Sequence, residues 1–157
     1  MKVSCREASV RDALLLANNI RIEDKQEIEG LGLSPFLLPL SVLQSDNPMA
    51  FFDDSESIIA IAGVVPVNPR EGQIWMICTP LVEKVPHTLV RQTKKWIAEW
   101  EERYDILYNI ADANNALHHK LLKILGFKSL RRVYPEPYLK PYLEIVKLCA
   151  SPQQLQV

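Results

Sequence analysis

Residues 109–127, "NIADANNALHHKLLKILGF", change from an apolar run into an amphipathic pattern and close on Gly-Phe. The run 106–111 has the length and composition of a buried strand. Asn115 suits a helix start and Gly126 a helix stop, which predicts a helix over 115–125. One face of that helix follows the i, i+3, i+4, i+7 spacing and should pack on a sheet: His118, Leu121, Leu122 and Leu125. His119, Lys120 and Lys123 fall on the opposite, solvated side.

The rest of the chain predicts further strands and helices around this unit. Strands are expected at 2–7, 49–52, 57–67, 73–79, 128–134 and 143–149. One long helix is expected from Ser9 to the break at Gly30, a short one over 35–44, and a long one after Pro86. We expect one α/β (α+β) domain over 1–150, with a frayed tail at 151–157. Its sheet should be mixed, mostly antiparallel, and covered by helices on both faces.

Composition excludes several classes of protein. Eighteen Lys and Arg against nineteen Asp and Glu give a net charge near zero, which argues against a dedicated nucleic-acid binder. Three separated cysteines predict buried thiols in a reducing compartment, and neither a disulfide framework nor a metal site. No run reaches the length of a membrane helix, and the first residues lack the pattern of a signal peptide. We therefore expect a cytoplasmic protein.

The order of elements, with a strand–Asn–helix–Gly-Phe unit in the second half, resembles the Gcn5-related N-acetyltransferase (GNAT) fold. Asn115, Gly126 and Phe127 match the family's late coenzyme motif in spacing. A closer resemblance covers nearly the whole chain and is to GNAT-like proteins of phages and prophages, related to the small internal virion protein A of T7-like phages. It is carried by Asp112, Ala113, Asn115, His118, Leu122 and Gly126, and by segments such as "RIEDKQE" and "RQTKKWIAEWEERYDILYN". The resemblance to that group implies a fold and a phage origin for this chain more than it implies an activity.

The GNAT resemblance implies acetyl-CoA chemistry, yet two of its usual parts are missing. The family holds the pyrophosphate in a glycine-rich turn, where bare N–H groups meet the anion. The corresponding turn here, "VEKVPHTL", has no glycine, and Pro86 removes a donor. Lys84 and Arg91 offer only charge. The family's acid is a tyrosine where this chain has Leu122. Acetyl-CoA is therefore expected to bind weakly or not at all.

His118 and Asp112 are the candidate catalytic residues. His118 is either a core residue hydrogen-bonded to a strand or to Asp112, or a site residue at the open splay between two parallel strands, near Ile77 and Asn109. As a site residue its imidazole would act as a base or contact an anion. Asp112 is either part of this site or only turns the chain before the helix. Arg21, Asp24 and Glu27 form either a solvated, salt-bridged helix face, the favoured interpretation, or, as the GNAT resemblance implies, a part of the helix that flanks the acceptor groove.

If the coenzyme binds, the strand edge at Ile77, Cys78 and Thr79 and the helix start at Asn115 are the expected contacts. Two functions remain open. The missing glycine turn and Leu122 favour the first, a phage protein with an altered acetyl-CoA site that binds a virion or host protein, located in the host cytoplasm or the virion. The other is an active N-acetyltransferase acting on a protein or a small-molecule amine. The sequence leaves the oligomeric state open.

Overall fold

Seven strands form one sheet in the order β1-β2-β3-β4-β5-β7-β6. The structure is a computed structural model that describes residues 2–149; the expected tail lies outside the described residues. The strands are β1 Ser4–Glu7, β2 Asp46–Phe52, β3 Ile58–Asn68, β4 Glu71–Cys78, β5 Ile106–Asp112, β6 Lys128–Val133 and β7 Tyr142–Leu148. Neighbouring strands are antiparallel except β4 and β5, which are parallel. The expected mixed, mostly antiparallel sheet is confirmed.

Five α-helices cover the two faces of this sheet. They are α1 Val10–Asn18, α2 Ile22–Glu29, α3 Leu38–Gln44, α4 Pro86–Arg103 and α5 Ala116–Ile124, with 3-10 turns at Pro35–Leu37 and Pro80–Lys84. Apolar residues of α4, such as Leu89 and Trp100, pack in one core cluster. Leu16 of α1 and Val42 of α3 pack in a second cluster with Ile61 and Ile77 of the sheet. No helix within residues 2–149 is long and apolar enough to span a membrane.

The long helix expected before Gly30 is wrong, because the chain breaks it into α1 and α2. Ser9 and Asp12 form a capping box that starts α1. At Arg21 the backbone is extended (φ −62°, ψ 139°) and its N–H donates to the carbonyl of Cys78 at 2.9 Å. This bond ties the start of α2 to the end of β4. It also turns α2 so that its polar face meets the sheet.

The Gly-Phe pair ends α5 as the sequence predicts, and the structure shows how. Gly126 has a φ of +92°, a left-handed conformation that favours glycine. Its N–H donates to Lys123 and the N–H of Phe127 donates to Leu122, which together form a Schellman motif. Phe127 is buried in the core beside α5. The motif therefore fixes where α5 lies on the sheet.

The expectation of three buried thiols is correct only for Cys78. Cys5 is exposed on the edge strand β1, and Cys149 is half-buried. The edge position explains Cys5, since β1 is short and its four residues are exposed.

Candidate functional site: a buried ion network at the splay of β4 and β5

The parallel strands β4 and β5 pair at one end and then diverge. Pairing joins Glu71–Gln73 to Ile106–Tyr108, whereas both strands continue several residues further. Asn109 lies where they part: its Nδ2 donates to the carbonyl of Ile74 at 2.6 Å, and its Oδ1 accepts from the N–H of Ile110 at 2.7 Å. Gln73 also donates to Asn109 Oδ1 at 3.2 Å. The amide of Asn109 thus bridges the two strands at the apex of the gap.

Side chains of α2 cap the strand edges beyond this apex. Asp24 Oδ2 accepts from the N–H of Cys78 on β4 at 2.7 Å. Glu27 Oε2 accepts from the N–H of Asp112 on β5 at 2.9 Å. Buried backbone donors need such partners, so the two carboxylates replace the ladder that the diverging strands cannot make. Between Ile74 and Cys78, the period-two alternation of a strand points the N–H and C=O of Met76 into the gap as well.

Asn115, which precedes α5, and His118 of α5 contact the same carboxylates from the other side. Asn115 donates through Nδ2 to Asp24 Oδ1 (3.0 Å) and Glu27 Oε2 (3.2 Å), and accepts from Arg21 at 2.6 Å. His118 Nε2 lies 3.2 Å from Asp24 Oδ1, and Nδ1 lies 3.6 Å from Glu27 Oε1. Nε2 has no aligned hydrogen-bond partner, and 3.6 Å is too long for a hydrogen bond from Nδ1, so both are ion-pair contacts.

The expected solvated face of Arg21, Asp24 and Glu27 is therefore wrong. Arg21 and Asp24 are buried, with exposed fractions of 4% and 0%, and the Glu27 side chain is 13% exposed. The break between α1 and α2 is the reason, because it rotates these residues from the solvent toward the sheet. The expected partners of His118 are corrected in part: the imidazole contacts Asp24 and Glu27 of α2, not Asp112, and it also lies within 4.8 Å of the Cys78 thiol on strand β4.

Two cations, Arg21 and His118, face the carboxylates of Asp24 and Glu27, and Arg21 also contacts the partly exposed Glu23 at 3.0 Å. Burial lowers the pKa of His118, but Asp24, Cys78 and Glu27 outweigh it and raise the pKa well above its ordinary value. Burial opposes ionisation of Asp24, and its contacts with His118, Asn115 and Arg21 reverse this and lower its pKa. His118 is therefore an imidazolium at neutral pH.

Three ligand-type atoms, from Asp24, Cys78 and His118, lie within 4.8 Å of one another. Metal binding would require a thiolate and a neutral imidazole. Burial instead raises the pKa of the Cys78 thiol, and the imidazole is charged. Arg21, 3.4 Å from Asp24, already supplies positive charge. The arrangement suits an ion-pair network better than a metal site.

A cavity of about 220 Å³ opens through the gap beside this network. Its wall is mostly apolar and includes Ile74 and Met76 of β4 and Leu121 of α5. Among residues 2–149, the ionisable side chains on its wall are Glu27 and His118. The cavity reaches both faces of the sheet, because strand β4 and helices α2, α4 and α5 all contribute to its lining.

The sequence-predicted site residues divide into two groups. Ile77 and His118 line the cavity. The polar groups of Cys78, Thr79 and Asn115 are engaged within the protein: the Thr79 hydroxyl donates to the carbonyl of Ile58 at 2.8 Å. Their contact with a coenzyme stays a prediction.

Asp112 lies outside the cavity wall in the described chain. Its carboxylate accepts from the N–H of Asn114 at 3.0 Å, so the turn interpretation is confirmed. Its carbonyl lies 2.7 Å from Nε2 of His119, which is half-buried rather than solvated as expected. The catalytic role of Asp112 has no support from this geometry.

No protein-family model matches the chain, and neither does any curated protein. Solved structures do. A spermidine N-acetyltransferase from Vibrio cholerae, in complex with CoA and spermine, has a TM-score of 0.64 and 12% identity, over 93% of this chain and 95% of that one. A ribosomal-protein-S5-alanine acetyltransferase from Vibrio fischeri has a TM-score of 0.67 and 12% identity, over 96% and 95%. An acetyltransferase of the GNAT family from Streptococcus pneumoniae has a TM-score of 0.61 and 14% identity, over 94% and 99%. At such identities the likeness shows the fold alone: this chain has the fold of the GNAT acetyltransferases.

Proposed function

We propose that the protein is an acyltransferase that uses acetyl-CoA to acetylate an amine, with Glu27 and His118 as its proton-transfer pair. The observation that carries the proposal is the cavity in the β4–β5 gap, whose mostly apolar wall carries the acid Glu27 and the imidazolium of His118. The GNAT fold of the solved acetyltransferases supports it further.

The gap fits the thioester end of the coenzyme. The backbone N–H and C=O of Met76 point into it, and its apolar walls suit an uncharged arm. The pyrophosphate end of the coenzyme fits the protein less well, because α4 begins at Pro86 without a side-chain cap and the preceding turn lacks glycine. Lys84 and Arg91 are both exposed near this helix start and would supply charge for the pyrophosphate. We expect weak, saturable binding.

Bound acetyl-CoA would supply an acetyl group activated as a thioester. Glu27 Oε1 is the carboxylate oxygen left for an incoming amine, since Oε2 already accepts from Asp112 and Asn115. It takes the proton that the amine nitrogen loses. The His118 imidazolium donates its Nδ1 proton to the leaving sulfur, a role that Leu122 cannot perform. A proton then returns from Glu27 to His118 across 3.6 Å, which restores both groups.

The test compares Glu27→Gln with Glu29→Gln, an exposed position on the same helix. Thiol release from acetyl-CoA is followed with a panel of amines. The Glu27 variant should lose about a hundredfold or more in kcat, typical of a lost general base, while the control keeps wild-type activity. Equal rates in wild type and the Glu27 variant would refute the assigned role.

A second candidate is a phage protein that binds a virion or host protein. The observation that favours it is an exposed apolar stripe, formed by Phe36, Leu40 and Leu43, with Leu33 and Leu37 beside it. Contiguous apolar surface of this kind is characteristic of interaction sites. Mass spectrometry of purified particles tests the virion version, since absence from particles removes it.

A further inference from the structure

We infer that the acceptor is the α-amine of a polypeptide whose first residues are apolar, rather than a polyamine or a lysine side chain. The inference rests on the proposed function and specifies its substrate. Three observations carry it: the charge on the cavity wall, the surface at the cavity mouth, and the continuity between the two.

The wall of the cavity disfavours a polycation. Glu27 is the carboxylate that reaches it, and His118 beside it is positively charged. Toward α3 the wall continues mainly with apolar side chains, and it carries two serines but no further carboxylate within residues 2–149: Ile28, Leu31, Leu38, Ser34 and Ser41. Further ammonium groups of a polyamine would lie against these side chains without a carboxylate partner, and a buried charge without an opposite charge is unfavourable. The site therefore suits one amine on an apolar body.

The apolar cavity also favours an amine that loses its proton readily. An α-amine has a pKa near 8 and a lysine side chain one near 10.4, so at neutral pH the free base is on the order of a few hundred times more abundant for the α-amine. A neutral amine enters an apolar cavity without the desolvation penalty of an ammonium ion. One carboxylate, Glu27, then suffices to accept the proton released on acylation.

The mouth of the cavity continues onto the apolar stripe. Leu33 and Leu37 line the cavity and are also 51% and 45% exposed, so they belong to both surfaces. Phe36, Leu40 and Leu43 extend this surface, with exposed fractions of 57%, 52% and 69%. A small amine would bind within the cavity and leave the stripe uncovered. A peptide would place its amine at Glu27 and cover the stripe with its next side chains.

The first experiment measures peptide binding without coenzyme, by calorimetry. A short synthetic peptide beginning Ala-Leu-Phe should bind wild type, and Leu40→Asp should weaken binding about tenfold, as expected for losing one apolar contact. Leu130→Asp is the matched control, because Leu130 is 59% exposed on the edge strand β6. Equal loss in both variants, or none in either, would overturn the inference.

The second experiment adds acetyl-CoA and locates the acetyl group by mass spectrometry. The α-amine of this peptide should react with a kcat/KM at least about tenfold above that of spermidine or of an N-terminally blocked peptide containing lysine. Preference for spermidine or lysine would overturn the acceptor inference and leave the proposed function standing. Failure of every amine, with peptide binding intact, would remove the acetyltransferase and leave a peptide-binding site.

Discussion

Asp24→Asn tests whether the buried ion network holds the gap together. The substitution keeps the shape of the side chain and removes its charge. Asp24 is fully buried and accepts from the N–H of Cys78 at 2.7 Å and from Asn115 at 3.0 Å. It also contacts Arg21 at 3.4 Å and His118 at 3.2 Å. The side-chain oxygen of an asparagine can accept one of these two hydrogen bonds. Its NH2 group would then face the other donor, and that hydrogen bond would be lost.

The magnitude follows from the cations left behind. Removing one partner of a buried ion pair costs about 3–5 kcal/mol. His118 can relieve part of this cost by losing its proton, whereas Arg21 cannot and retains the contact of 3.0 Å with the partly exposed Glu23. We therefore expect a loss of about 3–4 kcal/mol in the free energy of unfolding. For a chain of this length that corresponds to a fall of about 6–16 °C in Tm.

Urea denaturation followed by circular dichroism at neutral pH measures this loss. Asp12→Asn is the control, since Asp12 is also buried but pairs with Arg6, whose side chain is 56% exposed. Its loss should be about 1 kcal/mol, as for a surface ion pair at a helix start. If Asp24→Asn loses no more than Asp12→Asn, the network does not carry the stability assigned to it.

Three further perturbations probe other parts of the structure. The raised pKa of His118 makes its contribution to stability fully present below about pH 6.5, its ordinary pKa; the contribution declines as pH rises through the raised value. The stability of wild type should fall over this range, and His118→Gln should flatten the decline; parallel pH curves would contradict the assignment. Asn109→Leu leaves the carbonyl of Ile74 and the N–H of Ile110 without their partner, so urea titration should show a loss of about 2–4 kcal/mol. Gly126→Ala should lose about 1–2 kcal/mol, because alanine is strained at a φ of +92°, and an unchanged urea midpoint would argue against the Schellman geometry.

Local patterns predict most of the fold. Alternation and helical periodicity place the strands and the helices α3, α4 and α5 within a few residues, because most of these elements bury one regular face. Gly126 marks the end of α5, since few other residues tolerate its backbone conformation. The break between α1 and α2 carries a weaker signal, the pair Asn18–Asn19, whose residue type has low helix propensity.

The partners of the site cannot be predicted from local patterns. Asn115 contacts Arg21, Asp24 and Glu27, which lie 88 to 94 positions earlier in the sequence. His118 contacts the same two carboxylates across a similar separation. Charges at i, i+3 and i+6 are typical of a solvated helix face, and only the turn at Arg21 aims them at the sheet. The spacing of His118 with the leucines of α5 predicts that it faces the sheet. The charge pattern of α2 instead predicts a solvated face, so it does not identify Asp24 and Glu27 as the partners of His118.

The most direct test of the central claim is a titration of isotope-labelled protein with acetyl-CoA, followed by amide NMR. If the coenzyme occupies the gap between β4 and β5, the signals of Met76, Asn109 and Ile110 should shift and saturate, and those of the distant edge strand β1 should stay unchanged. Absence of shifts in the gap at millimolar acetyl-CoA would contradict the account. So would saturable shifts confined to another part of the chain.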